Sequence, residues 1–568
     1  MGNRTVEILD SPDMVDFGRK ESYALRTQLE KFPFIHSGKI VQDYFRVLYI
    51  PKDRIQEVIQ DFGQNNQLLA NPIIMGLMGY RELEVSGVYS IRQHDRLELR
   101  GSGVLIAFID TGIDYRNKIF CHKDGGTRIK SIWDQSIPGA PPPGFGYGSV
   151  YDEAQINAAL ALPDPYTLVP HRDTVGHGTF LASVAAGADD EPYGSVAPDA
   201  SFVVVKLRKA NAYHCNLRQI PLSQENAYSA NDLMMGVEYI REKAHELQMP
   251  VAICIGLGGN GSAHDGNNYV EEYLSRIGEL PGVCVCVAAG NECIAGHHAQ
   301  GFIAQRGGFF DLDVQCGESA QVGSGLMVYI WNNQIDRLSV SIASPYGEQI
   351  PKVESKPGLI YESHMTLDRS NVVIEYYFPN PRTGSQLTWI RIYTPTPGIW
   401  RITVYGDIIL DGTFNAWVNI TGFCDPSIRF TSPSSFCTVT TPSTTPGVIT
   451  VGAYSAENME LYEKSSWGPT RLPATAPDIS APGVQTLGTY PDGHGAMSGT
   501  SVAAAITAGA CALMLEWGIV QRNEPMLNTY LAKAYLIRGS ERDAKMHYPN
   551  EQWGFGKLNL WNMFMNIW

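Results

Sequence analysis

The sequence lacks any run of Lys and Arg: 43 basic residues stand against 58 acidic ones, for a formal charge of -15. Affinity for phosphate backbones rests on clustered cations, so no nucleic-acid partner is expected. The ten cysteines show no paired framework and no CxxC spacing. Cys254, Cys284, Cys286 and Cys511 fall inside apolar runs, where a buried free thiol is the ordinary reading and fits a reducing compartment of synthesis. The start, MGNRTVEILDSPDMVDFGRK, has no basic segment followed by an apolar core, so no secretory signal is read and cytoplasmic synthesis is expected. The longest apolar run, Val502 to Leu515, is short for a bilayer and stops at Glu516, so no membrane partner is expected. No internal repeat and no low-complexity tract is present. What remains is a chain of 568 residues, 44% hydrophobic and 10% aromatic, ample for a large packed core. At about 150 residues per domain it has room for about three or four domains.

Residues 1–95 read as a small α+β unit. The alternating segment KIVQDYFRVLYI is followed by PKDRIQEVIQDFG, whose apolar positions recur at helical spacing after a proline. From Val104 the texture becomes short continuous apolar runs, VLIAFID, FVVVKL, VAICIGLG and VCVCVAAG, interleaved with helical stretches such as ANDLMMGVEYIREKAHEL. Strands buried on both faces and joined by crossover helices predict an α/β fold with a doubly wound, mostly parallel sheet over 96–302 and 437–568. Between them, 303–436 alternates in Tyr, Trp, Thr and Val with Pro, Gly and Asn turns, which predicts an inserted all-β sandwich.

Three segments of the α/β part carry unusual residues where that architecture places function, beyond the carboxyl ends of strands. In FIDTGIDY, Asp110 ends an apolar strand; taken alone it is equally a helix cap. In RDTVGHGTFLASVAAG, His177 stands between two glycines at the start of a small-residue helix, where the helix dipole disfavours an imidazolium. In GAMSGTSVAAAITAGA, three hydroxyls, Ser498, Thr500 and Ser501, precede an apolar helix, and by composition any of them could be a cap. Serine becomes a nucleophile when a base takes its proton and a carboxylate orients that base. Asp110, His177 and Ser501 supply one of each.

The flanks IDTGID, GHGT and GTSVAA, in that chain order, resemble the subtilisin-like serine proteases over about 104–300 and 437–565. The resemblance implies that Asp110 orients the imidazole, His177 is the general base and acid, and Ser501 is the nucleophile, with Thr500 and Ser498 as its supports. It also implies that Asn291, in VAAGNE, stabilises the oxyanion together with the Ser501 N–H; by composition alone Asn291 is a turn residue. Gly256, Leu257 and Gly258 resemble the family's substrate-pairing strand, and Ala288, Ala289 and Gly290 the opposite wall of the primary specificity pocket. Ala505 stands where the family usually has proline.

The long separation from Asn291 to Ser501, the insertion within it, the absence of a signal and the segment FTSPSSFCTVTTPSTTPGVITVGAYS resemble the clostridial Csp proteases, which carry a jelly-roll insertion. That resemblance implies a prodomain bound in the cleft as the chain's own partner, autoprocessing between about Glu82 and Arg96, spore association, and a protein substrate, the precursor of a spore cortex hydrolase cleaved in germination. A regulatory pseudoprotease in germinant signalling is the alternative, against which the intact Asp110, His177 and Ser501 stand; a general degradative subtilase is another. His171, His297 and His298 read as surface or loop histidines. Asp189, Asp190 and Glu191 read as a solvated acidic loop. No metal and no cofactor is expected.

Overall fold

A computed structural model describes residues 11, 13–41, 44–64, 74–77, 85–92, 94, 97–188, 194–318 and 325–567. Its centre is an eight-stranded sheet in the order Ile479–Pro482, Ile449–Tyr454, Val283–Ala288, Val251–Ile255, Leu105–Asp110, Ser201–Lys206, Ile129–Asp134, Ser149–Asp152. Neighbours run parallel except the last, which is antiparallel to Ile129–Asp134. The apolar runs are continuous because both faces are covered. Along Leu105–Asp110, Ile106 and Phe108 enter one core while Leu105, Ala107 and Ile109 enter the other.

One face packs the helices His177–Ala186 and Thr500–Leu515; the other packs Ala230–Leu247 and Tyr269–Gly278. Every residue of Thr500–Leu515 is buried. Its small side chains allow close approach: a Cβ on Gly509 would come within 2.6 Å of Val196 Cβ. By length and composition Thr500–Val520 is apolar enough to cross a bilayer, but 94% of its most apolar stretch is buried in the protein, so its apolarity serves the core. Ala505 lies inside this continuous helix.

The N-terminal unit is a three-stranded antiparallel sheet, Met14–Lys20, Phe45–Pro51 and His36–Val41 in that spatial order, with helices Tyr23–Leu29 and Ile55–Gln64 packed on Val15, Phe17, Leu48 and Ile50. The segment KIVQDYFRVLYI, read as one alternating run, is two strands of a hairpin, with Val41 opposite Phe45. Further on, Ile74–Leu77 forms the middle strand between Tyr228–Ser229 and Leu257–Gly258.

The predicted insertion is two antiparallel sheets of six and five strands around a shared core that includes Trp400, Val340, Val328 and Phe414. Their strands run from His298 to Phe430, so the six-stranded sheet begins five residues before 303.

The helix Tyr269–Gly278 starts with a capping box: Asn268 N and Nδ2 donate to Glu271 Oε2 at 3.2 and 2.6 Å, and the Thr444 hydroxyl bonds the other oxygen. Burial pushes the Glu271 carboxyl up from 4.5 to about 8. The folded chain therefore holds this proton more tightly than the unfolded chain does. Its stabilising contribution is complete below about pH 4.5 and is lost as pH rises toward 8. Glu271→Gln, which keeps the cap, is expected to flatten the fall in thermal stability between about pH 5 and pH 8; denaturation scans at both pH values, with the same slope in both proteins, would contradict it.

Candidate active site

The strand Leu105–Asp110 delivers its terminal carboxylate to the carboxyl edge of the sheet, where Thr111 N donates to Asp110 Oδ1 at 2.8 Å. A second Asp–His pair holds the following loop. His171 Nδ1 lies 2.6 Å from Asp134 Oδ2, while His171 Nε2 accepts from Ile113 N at 3.2 Å. Burial would raise the Asp134 carboxyl, but His171 beside it keeps it below the usual range.

His177 is the first residue of its helix. Gly176, the N-cap, adopts φ 85°, a conformation that favours glycine. The Asp173 carboxylate accepts from Gly176 N at 2.8 Å, Thr179 N at 2.9 Å and Thr179 Oγ1 at 2.7 Å, so it does the capping that Gly176 cannot. Gly178 has no alternative: a Cβ there would lie 2.2 Å from Gly112 O and 3.2 Å from Asp110 Oδ1. That contact seats the helix against the Asp110 strand, and Gly178 N donates to Thr111 Oγ1 at 2.9 Å.

These constraints bring three distant side chains together. His177 Nδ1 is 2.8 Å from Asp110 Oδ1, and His177 Nε2 is 3.1 Å from Ser501 Oγ. Asp110, His177 and Ser501 are 1%, 5% and 0% exposed, so the chain is shielded from bulk water. Asp110 Oδ2 has no hydrogen-bond partner among the described residues. Ser501 is the second residue of its helix, after Gly499 at φ 148°. Of the other hydroxyls, Ser498 Oγ accepts from Gln485 N at 3.0 Å and Thr500 Oγ1 from Gly290 N at 3.1 Å.

Asn291 sits beside the same helix start. Its Oδ1 accepts from Thr500 N at 3.2 Å and from Thr500 Oγ1 at 3.3 Å, leaving Nδ2 as the donor of that amide. Gly256 lies so near the centre that a Cβ would be 3.0 Å from Ser501 Cβ and 3.1 Å from His177 Cε1. Gly256, Leu257 and Gly258 thus run past the hydroxyl, and the adjoining Gly259 exchanges two backbone bonds with Thr441, at 2.9 and 3.0 Å. Ala288, Ala289 and Gly290 form the facing segment. Ser443 Oγ donates to Ala288 O, Thr440 N donates to Ala289 O at 2.9 Å, and a Cβ on Gly290 would be 2.9 Å from Thr440 Cγ2.

All ten residues named from the sequence are brought together here. Sequence reasoning missed Asp173, the Asp134–His171 support and the hydroxyl-lined span Thr440 to Ser443 that joins the two walls. The local signals were an Asp four residues before His177 and the dense hydroxyls of CTVTTPSTT.

Of the histidines read as surface or loop residues, His171 and His297 do lie in loops and His298 begins a strand, but none is at the surface. His171 is 0%, His297 5% and His298 1% exposed. Each is engaged in a buried hydrogen bond: His171 to Asp134, His297 to Glu292, and His298 to Asn415 Oδ1 at 3.0 Å. Among the described residues, no group of three or more His, Cys, Asp or Glu is arranged to hold a metal ion. Asp189, Asp190 and Glu191 lie outside the described residues.

Comparison with known proteins follows the same lines. The subtilase family model matches residues 101–324 and 429–556. Among solved structures, the CspB protease of Clostridium perfringens is 31% identical, covering 84% of this chain and 97% of its own, with a TM-score of 0.75. The prenylagaramide maturation protease PagA is 14% identical over 85% of this chain and 100% of its own, with a TM-score of 0.42. MycP1 from Mycobacterium smegmatis is 14% identical over 86% of this chain and 88% of its own, with a TM-score of 0.37. No curated protein matches the sequence significantly. The chain belongs to the subtilase family and is a subtilisin-like serine endopeptidase.

Proposed function

We propose that this chain hydrolyses peptide bonds through an acyl-enzyme, with Ser501 as nucleophile, His177 as general base and then acid, and Asp110 as the carboxylate that orients and charges the imidazole. The observation that carries this is the unbroken chain Asp110 Oδ1, His177 Nδ1, His177 Nε2, Ser501 Oγ, with steps of 2.8 and 3.1 Å. His177 Nε2 takes the Ser501 proton as Oγ attacks the scissile carbonyl, and returns it to the leaving amine; water then repeats the cycle on the ester. Asn291 Nδ2 and the Ser501 N–H donate to the developing oxyanion; the amino end of the Ser501 helix adds a favourable dipole. Removing the equivalent Asn in a subtilisin costs about 10²–10³ in turnover, and a loss of that size is carried over to Asn291 by family likeness.

The substrate strand lies along Gly256–Gly258. Ile74–Leu77 already pairs with that edge, Gly76 opposite Gly258 and Leu77 opposite Leu257. This supports the N-terminal unit as a prodomain bound in the cleft and cut in cis. The cut is placed between about Glu82 and Arg96, as the family resemblance implies; Glu82 and Arg96 are outside the described residues.

Similarity to a CspB protease at 31% identity supports a spore-associated role in which the substrate is the precursor of a cortex hydrolase, and the two-sheet insertion supports a jelly-roll module. An active-site fluorophosphonate is expected to label Ser501, with labelling lost in His177→Ala. Peptide mapping that finds the label elsewhere, or unchanged labelling in His177→Ala, would overturn the assignment.

A further inference from the structure

A further carboxylate–imidazole pair, unused by the proposed reaction, faces a thiol. His297 Nδ1 is 2.6 Å from Glu292 Oε2, and His297 Nε2 is 3.9 Å from Cys424 Sγ. The other Glu292 oxygen accepts from Thr421 N at 3.1 Å, tying the pair to the loop that carries the cysteine. Among the described residues, Cys424 is the one cysteine with an imidazole nitrogen within hydrogen-bonding reach of its sulfur. Burial alone would push His297 down, but Glu292 and Cys424 beside it raise it to about 10. A positive imidazole against sulfur is the environment in which cysteine reacts as a nucleophile. Burial pushes the Cys215 and Cys437 thiols up to about 11 and Cys316 to about 12, while hydrogen bonds to Cys284 and Cys286 lower the fully buried Cys511 to about 5.

Position gives this cluster a route to the active site. Glu292 follows Asn291 directly, and its N–H donates to Ser466 Oγ at 3.0 Å. Ser466 N in turn donates to Gly290 O at 2.8 Å. Cys424 is buried, while Thr421 and Gly422, just before it in the same loop, are exposed.

We propose that Cys424 is a modification site for hydrogen peroxide and small alkyl hydroperoxides, with His297 as proton relay and Glu292 as its positioning residue. The sulfur attacks one peroxide oxygen. An S–O bond forms, the O–O bond breaks, sulfur gives up two electrons and becomes a sulfenic acid. The second oxygen leaves as water or alcohol with a proton from His297, which the thiol proton replaces. The added oxygen has to enter a 3.9 Å gap in a packed site, which displaces His297 and Glu292 and, next to them, Asn291. The resulting loss of turnover rests on the role proposed for Asn291; the modification itself does not.

The test treats the full chain with graded hydrogen peroxide and traps sulfenic acid with dimedone, mapping label by mass spectrometry. Cys424 is expected to label at the lowest dose, ahead of the other nine cysteines. His297→Gln is expected to slow that labelling by about 10²-fold, the lower end for loss of an acid–base group. Label reaching other cysteines first, or an unchanged rate in a folded His297→Gln, would overturn the proposal; the first comparison needs no variant. In parallel, peroxide is expected to slow peptide hydrolysis by the wild type and not by Cys424→Ser. Labelling of Cys424 without that difference would refute the link to Asn291 while leaving the modification site standing.

Discussion

Ser501→Ala is expected to abolish peptide hydrolysis, by about 10⁶-fold, and to leave the fold intact. That size is the one known for loss of the nucleophile in a subtilisin. The fold should survive because Ser501 Oγ gives the structure one contact, to His177 Nε2 at 3.1 Å, and because alanine suits a helix that continues Val502, Ala503, Ala504, Ala505. The same variant separates autoprocessing from adventitious cleavage. Wild type is expected to begin within the window from about Glu82 to Arg96 and Ser501→Ala to keep its original N-terminus. Identical N-termini in both proteins would refute cutting in cis, while a Ser501-dependent cut outside that window would refute its placement. Hydrolysis within tenfold of wild type would refute Ser501 as nucleophile.

Asp110→Asn carries the second large effect, a loss of about 10⁴-fold in kcat, the size known for removing this carboxylate's charge in a subtilisin. The geometry says how the loss arises. Thr111 N donates to Asp110 Oδ1 at 2.8 Å, so the amide oxygen of an asparagine is held in that place and still accepts from His177 Nδ1. The tautomer survives and the negative charge that stabilises the imidazolium does not. The amide NH₂ falls where Oδ2 now stands without a partner among the described residues, costing about 1–3 kcal/mol of stability as a buried unpaired donor. Steady-state kinetics with a peptide substrate and a denaturation curve read both effects. If Asp110 were only a cap for the turn after its strand, turnover would stay within tenfold of wild type.

The reacting residues were legible because three short segments, each ambiguous alone, together and in chain order resemble the subtilisin-like motifs. A strand-ending Asp before Thr-Gly, a His between glycines and a Ser after Gly-Thr are requirements of tight turns and close helix approach. The structure gives the reasons directly: Gly178 against Gly112 O, Gly176 at φ 85°, Gly256 against Ser501. The supports were not legible, because they pair across the chain. His171 meets Asp134 over 37 residues, and Gly259 meets Thr441 across the whole insertion. That His171, His297 and His298 are buried was not legible, because burial is set by what folds over a residue and leaves no mark on its immediate neighbours. KIVQDYFRVLYI looked like one strand because no glycine or proline marks its turn.

By itself, then, the sequence determined the parallel α/β sheet, the inserted β sandwich and the Asp, His and Ser to watch, since apolar periodicity and turn chemistry act over a few residues. The tertiary structure alone decided that Ile74–Leu77 pairs with Leu257–Gly258, how Thr440 to Ser443 join Gly259 to Ala288 and Ala289, and that Glu292, His297 and Cys424 form a further cluster. Those depend on hydrogen bonds between residues brought together by the packing of both faces of one sheet, and distance along the chain says nothing about such contacts.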